Sequence, residues 1–131
     1  MRTEVFDVDA SARRFIDLTT MIDDWLEDED GLVNIFVPHA TAGLAVIETG
    51  SGTESDLHEA IDRLLPREDI YTHAHGSKGH GADHVLPAFL SPSLTIPVTE
   101  GKMTLGTWQS VVFVDLNVDN PHRQIRLSLL G

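Results

Sequence analysis

The chain has no cysteine among its 131 residues. That excludes disulfides, thiolate nucleophiles and Cys-ligated zinc or iron–sulfur centres, and it leaves the redox compartment unread. Lysine is nearly as scarce, present only at Lys78 and Lys102, with arginine supplying the other cations. Set against 21 acidic side chains, this gives a formal charge of −12, a field that repels phosphate backbones and anionic lipid surfaces. Neither nucleic-acid nor membrane partners are therefore expected. The acidity reads either as solubilising surface charge or as adaptation to high salt, where screening makes such self-repulsion tolerable.

Long hydrophobic runs are missing too. No stretch approaches membrane-span length, and MRTEVFDVDA carries charges among its first apolar residues with no h-region, so a cytoplasmic protein is expected. Phosphate-cradling GxxxxGK, a strand-linked GxGxxG, the GxSxG elbow and HExxH are all absent, which removes the commonest nucleotide, hydrolase and metalloprotease templates. Any metal must take nitrogen and oxygen ligands.

The residues that are present suit a single domain spanning 1–131, long enough to bury roughly two thirds of its unfolded surface. Val5, Asp7 and Asp9 alternate with Phe6 and Val8, a half-buried strand. Leu18, Met21, Ile22, Trp25 and Leu26 form a helical stripe with Asp17 as its N-cap, and Gly31 suits the position just past that helix. The acidic run Glu27–Asp30 reads as a solvated face. Leu32 to Val37 reads as a central strand that delivers His39 to its end. The small-residue turn Ala40–Gly43 follows, and a second apolar run ends at Glu48.

Ser51 and Glu54 have capping-box spacing before a helix whose stripe is Leu57, Ile61, Leu64 and Leu65, stopped by Pro66. Residues 66–83 are a glycine- and histidine-bearing loop, after which Asp83 can cap a short helix, His84 to Leu90. The remainder alternates as strands: Leu94 to Val98 with Pro97 at an edge or unpaired position, Met103 to Leu105, Val111 to Val114, and a last strand through Ile125, Leu127 and Leu129 after the Asp119-Asn120-Pro121 turn. Together these elements define an α+β class, with a β-sandwich-like core of mainly antiparallel strands and two to three helices.

Seven histidines are the chemical excess of this sequence. His39 ends a strand, His73, His75 and His80 lie in the glycine-rich loop, and His84 opens the short helix. Neutral imidazoles from separate elements, with no cysteine, are what an open three-histidine site for zinc or a similar divalent ion needs. The competing reading is that each is a hydrogen-bonded or merely polar histidine; His58 and His122 read as structural or solvent-facing. Glu48, with no cation adjacent in sequence, is either an orienter or general base beside a bound cation or an exposed acid. Trp108, in GTWQ, either covers a cleft or fills the core, and core is the commoner fate.

PHATAGLAVIE (38–48), Tyr71-Thr72-His73, Asp83-His84, SPSLTIPVTEGKMTLGTWQ (91–109) and the closing strand together resemble the YjbQ-like family, also described as secondary thiamine-phosphate synthases. The resemblance runs from about Val5 to Gly131. It implies an α+β fold with a β-sandwich core, a homotrimer, and a histidine site able to hold a divalent metal, with zinc expected. It maps His39, His73 and His84 as metal ligands and marks Glu48 and Thr41, the latter within His-x-[Thr/Ser]-Ala-x-Leu, as candidate catalytic residues. Arg123, with Arg126, is a candidate for a phosphorylated ligand. Relatives often carry Asn where this chain has Ile47 and His80, and His80 can stand in as a ligand. The implied activity joins a pyrimidine diphosphate to a thiazole phosphate as a side reaction; the alternative is a non-catalytic trimeric protein that binds a metal or small anion.

Overall fold

The structure is a computed structural model that describes residues 1–10, 14–68, 70–73 and 76–131. Its elements are β1 (Arg2–Asp9), β2 (Phe15–Asp17), α1 (Thr19–Leu26), β3 (Gly31–Phe36), β4 (Ala42–Ile47), α2 (Thr53–Leu64), α3 (His80–Val85) with a 3₁₀ turn at Leu86–Ala88, β5 (Ser93–Thr99), β6 (Lys102–Met103), β7 (Ser110–Asp115) and β8 (His122–Leu130). They form a five-stranded sheet in the order β1-β8-β3-β5-β6 and a three-stranded sheet in the order β2-β7-β4. All strand pairs are antiparallel. No helix among the described residues is long and apolar enough to cross a membrane.

Alternation sets which face of the large sheet is buried. On β8, Arg123, Ile125, Leu127 and Leu129 point inward while Gln124, Arg126 and Leu130 face out. Of these, Ile125, Leu127 and Leu129 meet Val33, Ile35, Ile96 and Val98 of β3 and β5, the α1 stripe, and Val111 and Phe113 of β7 in one core. The opposite face of β7 presents Val112 and Val114 to a second core, with Ile61 and Leu65 of α2 and Ala82 and Leu86 beside α3. A strand covered on both sides should read as an unbroken apolar run, and Val111–Val114 within β7 does.

Several local expectations change. Asp17 ends β2, and its carboxylate accepts the Thr19 N–H at 2.9 Å, one residue from the formal cap. α2 has Gly52 at its N-cap, and Glu54 reaches back to the Gly50 N–H at 2.8 Å, so the Ser51 hydroxyl makes no cap. Leu64 is exposed, leaving Ile61 and Leu65 to anchor α2. The helix placed at His84 to Leu90 starts at His80, because Asp83 does not cap it: its carboxylate is buried and paired with Arg67. Gly31 opens β3 rather than closing α1; the chain turns at Glu27, which has φ 57°. The acidic run Glu27–Asp30 is exposed, as expected, and two of its carboxylates are also engaged: Asp30 accepts the Glu100 N–H at 2.6 Å and Glu29 pairs with Arg2. Trp108 is 73% exposed, in a tight turn closed by Gln109 onto Gly106.

Pro97 is accommodated at the edge because the contact there uses only its carbonyl, which accepts the Thr104 N–H at 2.9 Å, while β6 pairs β5 in register at Val98 and Thr99. Gly43, read from the sequence as part of a 40–43 turn, lies in β4, and a close approach of chain to chain requires it. A Cβ there would meet the Leu90 carbonyl oxygen at 2.2 Å, and the chain leaving the 3₁₀ turn closes on β4 at that point, with the Leu44 N–H donating to Ser91.

Candidate metal centre

α3 is short, and packing determines its orientation. Ala82 and Leu86 enter the second core. Asp83, 1% exposed, accepts two hydrogen bonds from the Arg67 guanidinium at 2.6 and 3.1 Å. Arg67 also approaches the Leu116 carbonyl at 3.4 Å. The hydrogen bonds to Asp83 raise the Arg67 pKa above its ordinary value, against the opposing effect of burial. This clamp ties α3 to the chain leaving α2 and to the end of β7.

With that face fixed, His80 and His84 fall one turn apart on the other, their Nε2 atoms 2.9 Å from each other. His73 joins them from the preceding loop, its ring 4.0 Å from that of His84 and 5.1 Å from that of His80. Gly81 makes this approach possible, since a Cβ there would lie 2.5 Å from the His73 carbonyl oxygen and 2.8 Å from Tyr71. Tyr71 in turn donates to the Pro66 carbonyl at 2.7 Å. One ligand atom from each of the three histidines lies within 4.8 Å of the others.

Three imidazoles and no thiolate form a nitrogen donor set suited to zinc and its transition-metal neighbours, and poorly suited to calcium or magnesium. Tetrahedral zinc with N ligands at about 2.1 Å holds them roughly 3.4 Å apart. The observed spacing brackets that value, so the residues fit such an ion after sub-ångström to ångström adjustments of side chains that are half-buried or exposed.

His39 is not in this group. Its Nε2 accepts the Gln124 N–H at 2.9 Å, and its pKa is lowered, first by burial and then by the Arg123 guanidinium, with Asp115 opposing. Arg123 is buried; its Nε donates to Asp115 at 2.6 Å and its Nη2 to the Thr41 hydroxyl at 2.8 Å. Thr41 precedes β4, Asp115 ends β7 and Arg123 lies on β8, so the cluster pins the two sheets together at one end. Glu48 is exposed just beyond β4. His75 lies outside the described residues. His58 contacts Arg14 at 3.2 Å and Asp62 at 3.3 Å on α2, and His122 is exposed.

The histidine group and the Arg123 cluster are joined by residues 115–119. The Asn117 N–H donates to Asp115 at 3.0 Å, the Asp119 N–H donates to Asn117 at 2.8 Å, and Asp119 Oδ2 lies 3.0 Å from His80 Nδ1. Ser77 holds the Asp119 carboxyl below its usual range, through a hydroxyl that lies beside it without completing a hydrogen bond and a backbone N–H at 3.4 Å; His80 acts in the same direction. The sequence pattern marks only 119–121 as a turn here. The alternation Asp115-x-Asn117-x-Asp119 was the available signal, because such residues bond the backbone two positions on.

A small α+β domain of two antiparallel sheets, with imidazoles gathered on a helix against the smaller one, is the class of protein that fold and site define. The chain belongs to the YjbQ-like UPF0047 protein family, whose model matches residues 4–131. It is 59% identical over 131 residues to the UPF0047 protein Rv2556c of Mycobacterium tuberculosis, covering 99% of this chain and 98% of that one. It is 36% identical over 121 residues to a UPF0047 protein of Methanothermobacter thermautotrophicus, covering 88% and 82%. Among solved structures, a hypothetical protein of Aeropyrum pernix matches with a TM-score of 0.86 at 32% identity over 100% of this chain and 99% of that chain. A YbjQ-like protein of Sulfolobus solfataricus, described as of unknown function, matches at 0.87 and 26% identity over 99% and 98%.

Proposed function

We propose that this protein holds a divalent transition-metal ion, zinc or a near neighbour, on His73, His80 and His84, with a further coordination position open to water or substrate. The observation that carries the reading is the convergence of three imidazole nitrogens within 4.8 Å from a loop and a helix. Such an ion, when bound, polarises an oxygen of water or substrate. Thr41 and Arg123 direct their polar atoms to each other and to Asp115, which supports a holding role for them over contact with substrate. Glu48 is exposed and available to a ligand approaching β4.

The condensation implied by the family resemblance, a pyrimidine diphosphate joined to a thiazole phosphate with loss of pyrophosphate, is the reaction to assay as a side activity. Non-catalytic binding is the second reading. It is favoured by the charge of −12 and by the capture of Arg123 in a buried ion pair, both unhelpful to phosphorylated substrates. A homotrimer is the assembly proposed with either reading. Val5, Leu32, Phe36 and Leu130, exposed on the outer face of the large sheet, support self-association.

Titration of Zn²⁺ into chelator-treated protein is expected to give one ion per chain, lost in the His80→Ala/His84→Ala variant and little changed by His39→Ala. Retention of the ion at unchanged affinity in the double variant overturns the site. Loss in His39→Ala alone would replace it with the wider set implied by the family.

A further inference from the structure

We infer that Asp119 is the positioning residue that makes His80 a ligand, by holding its ring in the Nδ1–H tautomer and so turning an Nε2 lone pair toward the metal position. The inference rests on the metal reading above and adds the group that orients one of its ligands. Asp119 Oδ2 lies 3.0 Å from His80 Nδ1 and Asn117 Nδ2 lies 3.3 Å from it. They favour opposite tautomers. A carboxylate only accepts, which requires the ring proton on Nδ1; an amide nitrogen only donates, which would push that proton to Nε2, the atom a metal needs.

The orientation of the Asn117 amide is settled by its own contact, since Oδ1 accepts the Asp119 N–H at 2.8 Å and Nδ2 is left facing the ring. The decision therefore falls on strength. The carboxylate contact is the shorter and involves an ionised acceptor, so it outweighs the amide. With Nδ1 protonated, Nε2 carries the lone pair, 2.9 Å from His84 Nε2. A carboxylate on the remote nitrogen also raises the basicity of the ligating one.

Asp119 is itself held in place. Its N–H is bound by Asn117, the Asn117 N–H is bound by Asp115, and Asp115 is locked to the buried Arg123 guanidinium. Two successive side-chain-to-backbone turns thus carry position from the sheet end out to a half-buried imidazole.

Asp119→Asn is the informative substitution, because it replaces an acceptor by a group able to donate at an exposed position where folding is not at stake. Long-range ¹H–¹⁵N spectra of metal-free protein are expected to show His80 as Nδ1–H in the wild type and as Nε2–H in Asp119→Asn. Zn²⁺ affinity should fall by about 10–100-fold in that variant and recover in part with Asp119→Glu. If His80 keeps the Nδ1–H form in Asp119→Asn, or the variant binds Zn²⁺ as tightly as wild type, the inference is overturned. If the wild type binds no Zn²⁺ while the tautomer still switches, the metal reading fails and the assignment of Asp119 to the tautomer survives.

Discussion

At one end of residues 115–119, Asp115, Arg123 and Thr41 are buried and bonded to one another; at the other, His80 and His84 are half-buried and His73 is exposed. Both ends are polar and both draw on separate elements, yet their chemistry diverges. In the buried cluster each charge answers another charge, and nothing is left to offer a ligand. In the exposed cluster three imidazoles face one another, with the Asp119 carboxylate beside His80, an arrangement able to take up a cation. Side chains brought together to hold two sheets point their charges at one another, whereas the imidazoles converge three nitrogen donors on one small volume.

The largest expected break in this comparison comes from Arg123→Ala. It strands the Asp115 carboxylate in the interior and should cost about 3–5 kcal/mol of unfolding free energy in urea titrations. If Arg123→Ala costs under about 1 kcal/mol, the cluster does not hold the sheets. A smaller effect on stability, with a larger one on binding, is expected from Gly81→Ala. The new methyl group displaces the His73 backbone, and overpacking of this kind costs about 1–3 kcal/mol. Zn²⁺ affinity should fall with it as His73 leaves the group, and a Gly81→Ala protein that binds Zn²⁺ normally would detach His73 from the site.

The smallest effect is a pH dependence at His39. Its folded pKa lies below the ordinary 6.5, so as pH falls below about 6.5 the unfolded chain takes up a proton before the native one does. Stability present above that value is therefore lost progressively down to the folded pKa, and is constant below it. The loss should shrink in His39→Gln. Thermal melts across that range, compared between wild type and variant, check both sign and window; an unchanged slope in His39→Gln would assign the effect elsewhere.

Much of the fold was legible because period 2 and period 3.6 are local. Phe6 and Val8, the α1 stripe and the Ile125–Leu129 alternation each announce their buried face within a few residues. What escaped depends on partners distant in sequence. Asp83 looks like a helix cap until Arg67, 16 residues away, takes its carboxylate. Trp108 looks like core until a four-residue turn carries it outward. Residue type and spacing marked the histidines as a group without choosing among them; the family resemblance singled out His73 and His84, with His39, and allowed His80 as a substitute ligand. The Asp119 contact that orients His80 spans 39 positions, and no local pattern encodes it. His39 illustrates the converse: its place at a strand end was correct, but the neighbour at its ring nitrogen is the backbone of β8.

β7 gives Val111 and Phe113 to one core and Val112 and Val114 to the other. The two hydrophobic regions therefore have a wall in common and cannot come apart without each losing part of its lining. A molecule built this way has little room for partial opening, and its least exchangeable amides should lie along this strand. The histidine-bearing helix rests on the same wall, so an ion held by it would draw on the stability of the entire domain, and would return it by favouring the folded chain over the unfolded one.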